Sequence, residues 1–88
     1  MKKGAAPTVF VYHEYDDSLA YGEQLIRVFQ EREAGEAYLK ERVELAFASD
    51  WTSIAARANS EDTVEPDYVS IGDGNGCQFF ILEEQPVI

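Results

Sequence analysis

No lysine or arginine follows Arg57 in this sequence of 88 residues. The charges beyond it, Glu61, Asp62, Glu65, Asp67, Asp73, Glu83 and Glu84, are all acidic, so residues 58–88 carry −7 and residues 1–57 carry −3 of the net −10. A charge polarised in this way repels phosphate backbones and anionic lipid and steers the chain toward basic partners. Direct binding of RNA or DNA is disfavoured, because an aromatic nucleic-acid platform needs positive flanks and the C-terminal hairpin is uniformly negative.

Cysteine and long apolar runs are scarce too. Cys77 is the single cysteine, which excludes an intrachain disulfide and a thiolate metal cluster and points to a reducing cytoplasm. No stretch approaches the roughly 20 apolar residues that cross a bilayer. Lys2 and Lys3 precede Gly4-Ala5-Ala6-Pro7, but the apolar stretch Val9–Tyr12 is too short for a signal-peptide core and runs into His13, Glu14 and Asp16, so a soluble, unexported protein is expected.

What is present is enough for one core. A hydrophobic fraction of 45% and an aromatic fraction of 12% lie in the globular range, and the length suits a single domain over residues 1–88 with residues 1–7 as a flexible lead. Thr8 to about Tyr15 reads as a strand, with Val9, Val11, His13 and Tyr15 on one face and Phe10, Tyr12 and Glu14 on the other. Asp16, Asp17, Ser18 and Gly22 mark a loop, and Glu23–Phe29 returns as a second strand to complete an antiparallel hairpin. From Gln30 or Glu31 the period becomes helical: Ala34, Tyr38 and Leu45 form one apolar line, Leu39, Val43 and Phe47 the next, with Glu36 and Lys40 as an i,i+4 pair outside.

Ser49 or Asp50 offers the N-cap of a shorter helix over Trp51–Ala58, where Trp51, Ile54, Ala55 and Ala58 share a face. Asn59–Pro66 reads as a polar connector, Asp67–Ile71 as a short strand, Gly72–Gly76 as the densest turn signal and Cys77–Glu84 as the last strand. The expected architecture is α+β: a four-stranded, mainly antiparallel sheet in the order ββ-α(α)-ββ, with helix packed on one face.

No residue set announces a chemistry. Gly72–Gly76 lacks the following helix and the lysine of a phosphate loop, and Asp73 and Asn75 supply only two of the ligands a calcium loop needs, so a hairpin turn is the simpler reading. His13 and Glu14 point to opposite faces of a strand and cannot jointly hold an ion without a bulge. Cys77 has no second histidine to activate it. A hydrolase or metal protein built on His13 or Cys77 is the weakest of three readings, and a non-enzymatic protein without a cofactor is expected.

The aromatics bear on partners. Phe10, Tyr12, Phe79 and Phe80 put large groups on both sheet faces, whereas one helix layer covers one face. Either the Trp51 helix or the N-terminal lead covers the other, or these four residues form a homodimer or partner patch. The strand Val9-Phe10-Val11-Tyr12-His13-Glu14-Tyr15, with Arg27-Val28-Phe29 and the helix start Glu31-Arg32-Glu33-Ala34-Gly35-Glu36-Ala37, resembles small phage and bacterial proteins of no settled activity. That resemblance covers residues 8–47 in pattern and implies a ββα start and a mobile-element setting in a bacterial host cell. In size, acidity and one-sided charge the chain is also similar to phage-encoded acidic inhibitors, anti-CRISPR proteins among them, which imitate DNA; this is analogy at the level of charge and size.

The leading expectation is therefore an acidic binding protein that blocks a basic nucleic-acid-binding protein as a DNA mimic, with Glu61, Asp62, Glu65, Asp67, Asp73, Glu83 and Glu84 as contacts and Tyr68 as apolar anchor. The alternative is a structural or regulatory homodimer whose acidity serves solubility.

Overall fold

The computed structural model describes residues 8–16, 25–72 and 76–87. Seven elements follow in the order β1 (Thr8–Asp16), β2 (Leu25–Phe29), α1 (Arg32–Phe47), α2 (Trp51–Arg57), β3 (Thr63–Glu65), β4 (Tyr68–Gly72) and β5 (Cys77–Pro86). The strands form one five-stranded sheet in the spatial order β2-β1-β5-β4-β3, antiparallel at every step. This corrects the expected four strands. Thr63-Val64-Glu65, within the stretch read as connector, pairs Val64 with Val69 and Glu65 with Tyr68.

Both expected hairpins form. Phe10 lies opposite Phe29 and Glu14 opposite Leu25 in the first; Gly72 lies opposite Cys77 in the second. The turn residues Asp73-Gly74-Asn75 and the loop residues 17–24 lie outside the described residues. Between the hairpins runs the longest pairing in the molecule, β1 against β5, from Thr8 opposite Pro86 to Asp16 opposite Gln78.

Period-two alternation then sorts side chains by face. Phe10, Tyr12, Phe80, Leu82 and Val69 point to one side and form the core with Leu39 and Val43 of α1 and Ile54 of α2. Leu25, Phe29, Tyr38, Phe47, Trp51, Val64 and Ile71 pack around it. Tyr38 joins the layers through rings, edge-on to Tyr12 at 5.1 Å and tilted against Phe29 at 5.3 Å.

Of the two expected lines on α1, Leu39, Val43 and Phe47 face the core as expected, and the Ala34, Tyr38 and Leu45 line holds only at Tyr38. Gly35, Leu39 and Val43 are the buried line of α1, while Ala34 is exposed and Leu45 is 66% exposed. Leu45 lies one heptad beyond Tyr38, which rotates it about 20° further from the sheet. Gly35 is there because the helix comes close: a Cβ on it would stand 2.7 Å from Leu82 Cδ1.

Helix ends follow local chemistry. Ala48 takes the left-handed conformation (φ 52°, ψ 44°) and its N–H donates to the Glu44 carbonyl, closing α1. Of the two expected caps, Ser49 and Asp50, it is Asp50 that caps α2, its Oδ2 accepting from Ser53 N at 3.2 Å and its Oδ1 from Ser53 Oγ at 2.8 Å. Trp51 N donates to Glu44 Oε2 at 2.7 Å, which ties the start of α2 to α1.

Candidate functional site

Sorting by face decides what is available to a partner. Of the four aromatics read as a dimer or partner patch, Phe10 (8% exposed), Tyr12 (0%) and Phe80 (1%) belong to the core beneath α1 and α2. Only Phe79 points the other way, stacked on Tyr15 at 4.8 Å. The patch cannot form as expected, because Phe10, Tyr12 and Phe80 share the helix-covered face.

The reverse face is covered by no helix among the described residues, since Leu39, Val43 and Ile54 all pack into the same core. The Trp51 helix thus does not cover it. Ile26, His13, Ile81 and Tyr68 make one row across four strands, and Val28, Val11 and Glu83 make the next. Ile26 is 54% exposed and Val28 62%. His13 meets Glu83 here at 3.2 Å.

His13 and Glu14 do point to opposite faces. Glu14 lies on the helix side, gripped by Arg42 Nε at 2.8 Å and Arg42 Nη2 at 2.9 Å, and it accepts from the Tyr12 hydroxyl at 2.8 Å. Burial pushes the Glu14 carboxyl up, but the hydrogen bonds from Arg42 and Tyr12 outweigh it and hold the group below its ordinary value. Burial, then the adjacent carboxylate, pushes the Tyr12 phenol well above its usual range. These groups are locked in mutual pairing, which suits a structural clamp between sheet and helix. Among the described residues no group of three or more histidine, cysteine, aspartate and glutamate residues is placed to hold a metal ion.

The acidic residues divide between two ends of the sheet. Asp62 belongs to the end carrying the β4–β5 turn, where its Oδ1 accepts from Gly72 N at 3.2 Å and its Oδ2 from Asn59 N at 3.1 Å. Glu61 stands beside it, its N–H bonded to Asn59 Oδ1 at 2.9 Å. Asp73 falls outside the described residues. The length of β4, about 13 Å at roughly 3.3 Å per residue, separates this end from Glu65 and Asp67 in the β3–β4 turn. Glu83 and Glu84 join the second group, since Leu82 N donates to the Asp67 carbonyl at 2.9 Å. Tyr68, 37% exposed, lies at its edge.

This second end gains acids that sequence reading left out of the contact set. Arg32, in the first turn of α1, reaches Glu84 at 3.1 Å and Glu36 at 3.8 Å and lies over the Phe10 ring at 5.1 Å. The start of α1 is thereby set beside the end of β5. A groove of about 330 Å³ lies between α1, the start of α2 and the β3–β4 turn, lined by Glu33, Glu36, Ala37, Lys40, Trp51 and Pro66. Glu33 and Glu36 supply the carboxylates of its α1 wall, with an indole at its side and Lys40 as the one cation lining it; Asp67 follows Pro66 in the chain, whereas Glu65 lies opposite Tyr68 on the reverse face of the sheet. The signal for Glu33 was present, as a first-turn acid favoured by the helix dipole, and Glu36 was visible as the outward i,i+4 partner of Lys40. What the sequence could not supply was the turn at Pro66 that faces them.

The geometry defines a small α+β protein with an acidic pole and a sheet face that no described helix covers; the N-terminal lead, the other expected cover, lies outside the described residues. Compared with known proteins, the chain matches no family model, and no curated protein and no solved structure matches it significantly. Among the described residues no helix is long and apolar enough to cross a membrane.

Proposed function

We propose that this is a non-enzymatic acidic binding protein that docks its acidic pole on a basic nucleic-acid-binding protein and blocks the surface meant for phosphates. The observation that carries this reading is the groove shared by Glu33, Glu36, Trp51 and Pro66, the last of these in the acidic turn Glu65-Pro66-Asp67. Glu33 and Glu36 lie three residues apart on one helix, about 5–6 Å between Cβ atoms, and can engage neighbouring cations. An arginine or lysine entering between them meets carboxylates and the Trp51 indole, a cation–π acceptor. Glu83 and Glu84 extend the charge along the sheet edge. Their pairings to His13 and Arg32 involve exposed groups, so they exchange for a partner's cations at little cost.

The contact set is thus Glu33, Glu36, Glu65, Asp67, Glu83 and Glu84, with Tyr68 at its margin; Glu61 and Asp62 belong to the far end. An inhibitor that replaces phosphates in this way associates quickly and weakens with salt. The test is affinity capture from a nuclease-treated bacterial lysate with elution by rising salt, followed by competition between the captured protein's nucleic acid and this chain. Salt-labile capture of a basic nucleic-acid-binding protein, displaced by its own nucleic acid and lost in a Glu33→Gln, Glu36→Gln, Glu65→Gln, Asp67→Asn variant, supports the proposal. Capture unchanged by those substitutions overturns it.

A further inference from the structure

The reverse face of the sheet stands apart from the rest of this chain in charge. Of its described residues only His13, Glu83 and Glu65 are ionisable acids or bases of the carboxyl and imidazole kind, and His13 and Glu83 pair with each other at 3.2 Å. The rest of the net −10 lies elsewhere. A second copy is repelled wherever it approaches the acidic pole or the outer side of α1, and least at the sheet face that no described helix covers. There it meets Ile26, Val28, Val11, Ile81, Phe79 and Tyr68, presented in rows by the β1–β2, β1–β5 and β4–β5 registers.

We infer that two copies of this chain pack together, as an isologous dimer, the sheet faces that no described helix covers. Strands of these lengths, at about 4.8 Å spacing and roughly 3.3 Å per residue, present a face of roughly 500 Å². Two copies bury roughly 1,000 Å², the lower bound for a specific interface, so the dimer is of modest affinity. Sheet faces of this kind pack in an aligned sandwich, with the inward side chains interdigitating. The aromatic stack of Phe79 on Tyr15 is already ordered within one copy and loses little freedom on contact. A heterologous basic partner is drawn to the acidic pole instead, as this face offers it one paired carboxylate and one at the β3 edge. The dimer does not depend on the proposed function: Glu33 and Glu36 of the groove lie on the helix side of the sheet, while Glu65, Glu83 and Tyr68 lie on the dimer face, so a partner that reaches them competes with the second copy there.

Sedimentation equilibrium across micromolar concentrations, at low and high salt, tests this. The expected result is a monomer–dimer equilibrium that tightens as salt rises, because screening relieves repulsion between two acidic chains while burial of the face persists. That is the opposite salt dependence from a complex with a basic partner. The neutral double substitution Ile26→Thr, Val28→Thr weakens the dimer at least about tenfold, since each change counts twice in an isologous contact. Circular dichroism checks that it folds, as expected for side chains already more than half exposed. Tyr68→Thr, three strands away from β2, weakens it in the same direction. A chain that stays monomeric at high salt overturns the inference. So does a dimer that responds to the β2 substitutions and ignores Tyr68→Thr, because that pattern belongs to pairing along the β2 edge. Charge-neutralising substitutions at Glu33 and Glu36 leave this dimer intact while abolishing capture of a basic partner, so the two proposals fail separately.

Discussion

Gly35 and Leu82 share a space that admits only one side chain: a Cβ built on Gly35 would lie 2.7 Å from Leu82 Cδ1 and 3.0 Å from Cδ2. Glycine in a helix interior costs about 1 kcal/mol against alanine, and here that cost is offset by letting α1 settle onto β5. Gly35→Ala recovers the propensity but forces Leu82, 5% exposed within the core, out of its place, at about 1–3 kcal/mol for overpacking. The expected net result is a loss of about 1 kcal/mol in chemical denaturation. Combined with Leu82→Ala, the same change should cost less than the sum of the two singles, a coupling read by a double-mutant cycle.

The neighbours Phe79 and Phe80 should respond very differently to truncation. Phe80→Ala removes a ring that is 1% exposed and tilted against Phe47, and is expected to cost about 3–5 kcal/mol. Phe79→Ala removes a half-buried ring from the open face and should cost about 1 kcal/mol, near the worth of one aromatic stack. Equal losses in urea titration would contradict the face assignment.

Glu14 links the sheet to α1 through Arg42, and the pair is partly exposed, at 22% and 33% of the two side chains. Glu14→Gln should destabilise by about 1–2 kcal/mol at neutral pH, the loss of a charge-assisted pair reduced by solvent screening. Because the folded carboxyl titrates below its ordinary 4.5, its contribution is complete above that pH and is lost as pH falls through its own lowered value. The stability difference between the original chain and the variant should therefore narrow below pH 4.5. A gap that stays constant down to acid unfolding would show that the carboxylate charge is not what holds Arg42.

Ala48 carries the left-handed turn at the end of α1 with φ 52°, a conformation that strains any residue with a Cβ by about 1–2 kcal/mol. Ala48→Gly removes the strain and adds unfolded-chain entropy, for an expected net gain of about 0.5–1 kcal/mol. The midpoint of thermal unfolding should rise.

Much of this fold was legible because local patterns carried it. Alternation in Val9–Tyr15 assigned the faces of β1 correctly, Asp50 announced the start of α2, and the glycine-rich stretch announced the second hairpin. β3 was hidden because Thr63-Val64-Glu65 offers one apolar residue in a polar stretch, and its strand character comes from pairing with β4. The β1–β5 pairing joins residues up to 78 positions apart, Thr8 with Pro86, and no local signal marks it. That pairing decided the site, since it turned Phe80 inward beside Tyr12 and carried Glu83 and Glu84 to the start of α1. A count of acids in the sequence grouped Glu61 and Asp62 with them, whereas turn hydrogen bonds at Asn59 and Gly72 hold Asp62 at the other end.

The order β2-β1-β5-β4-β3 places the last strand in the middle of the sheet. Until β5 arrives, β2–β1 and β4–β3 are two separate strand pairs with their inner edges open. On a ribosome the sheet therefore cannot close as the chain emerges, and assembly waits for the final strand, whose insertion joins both halves in a single step. Such non-local closure slows folding, and it means that a chain cut before β5 loses the seam that unites the sheet.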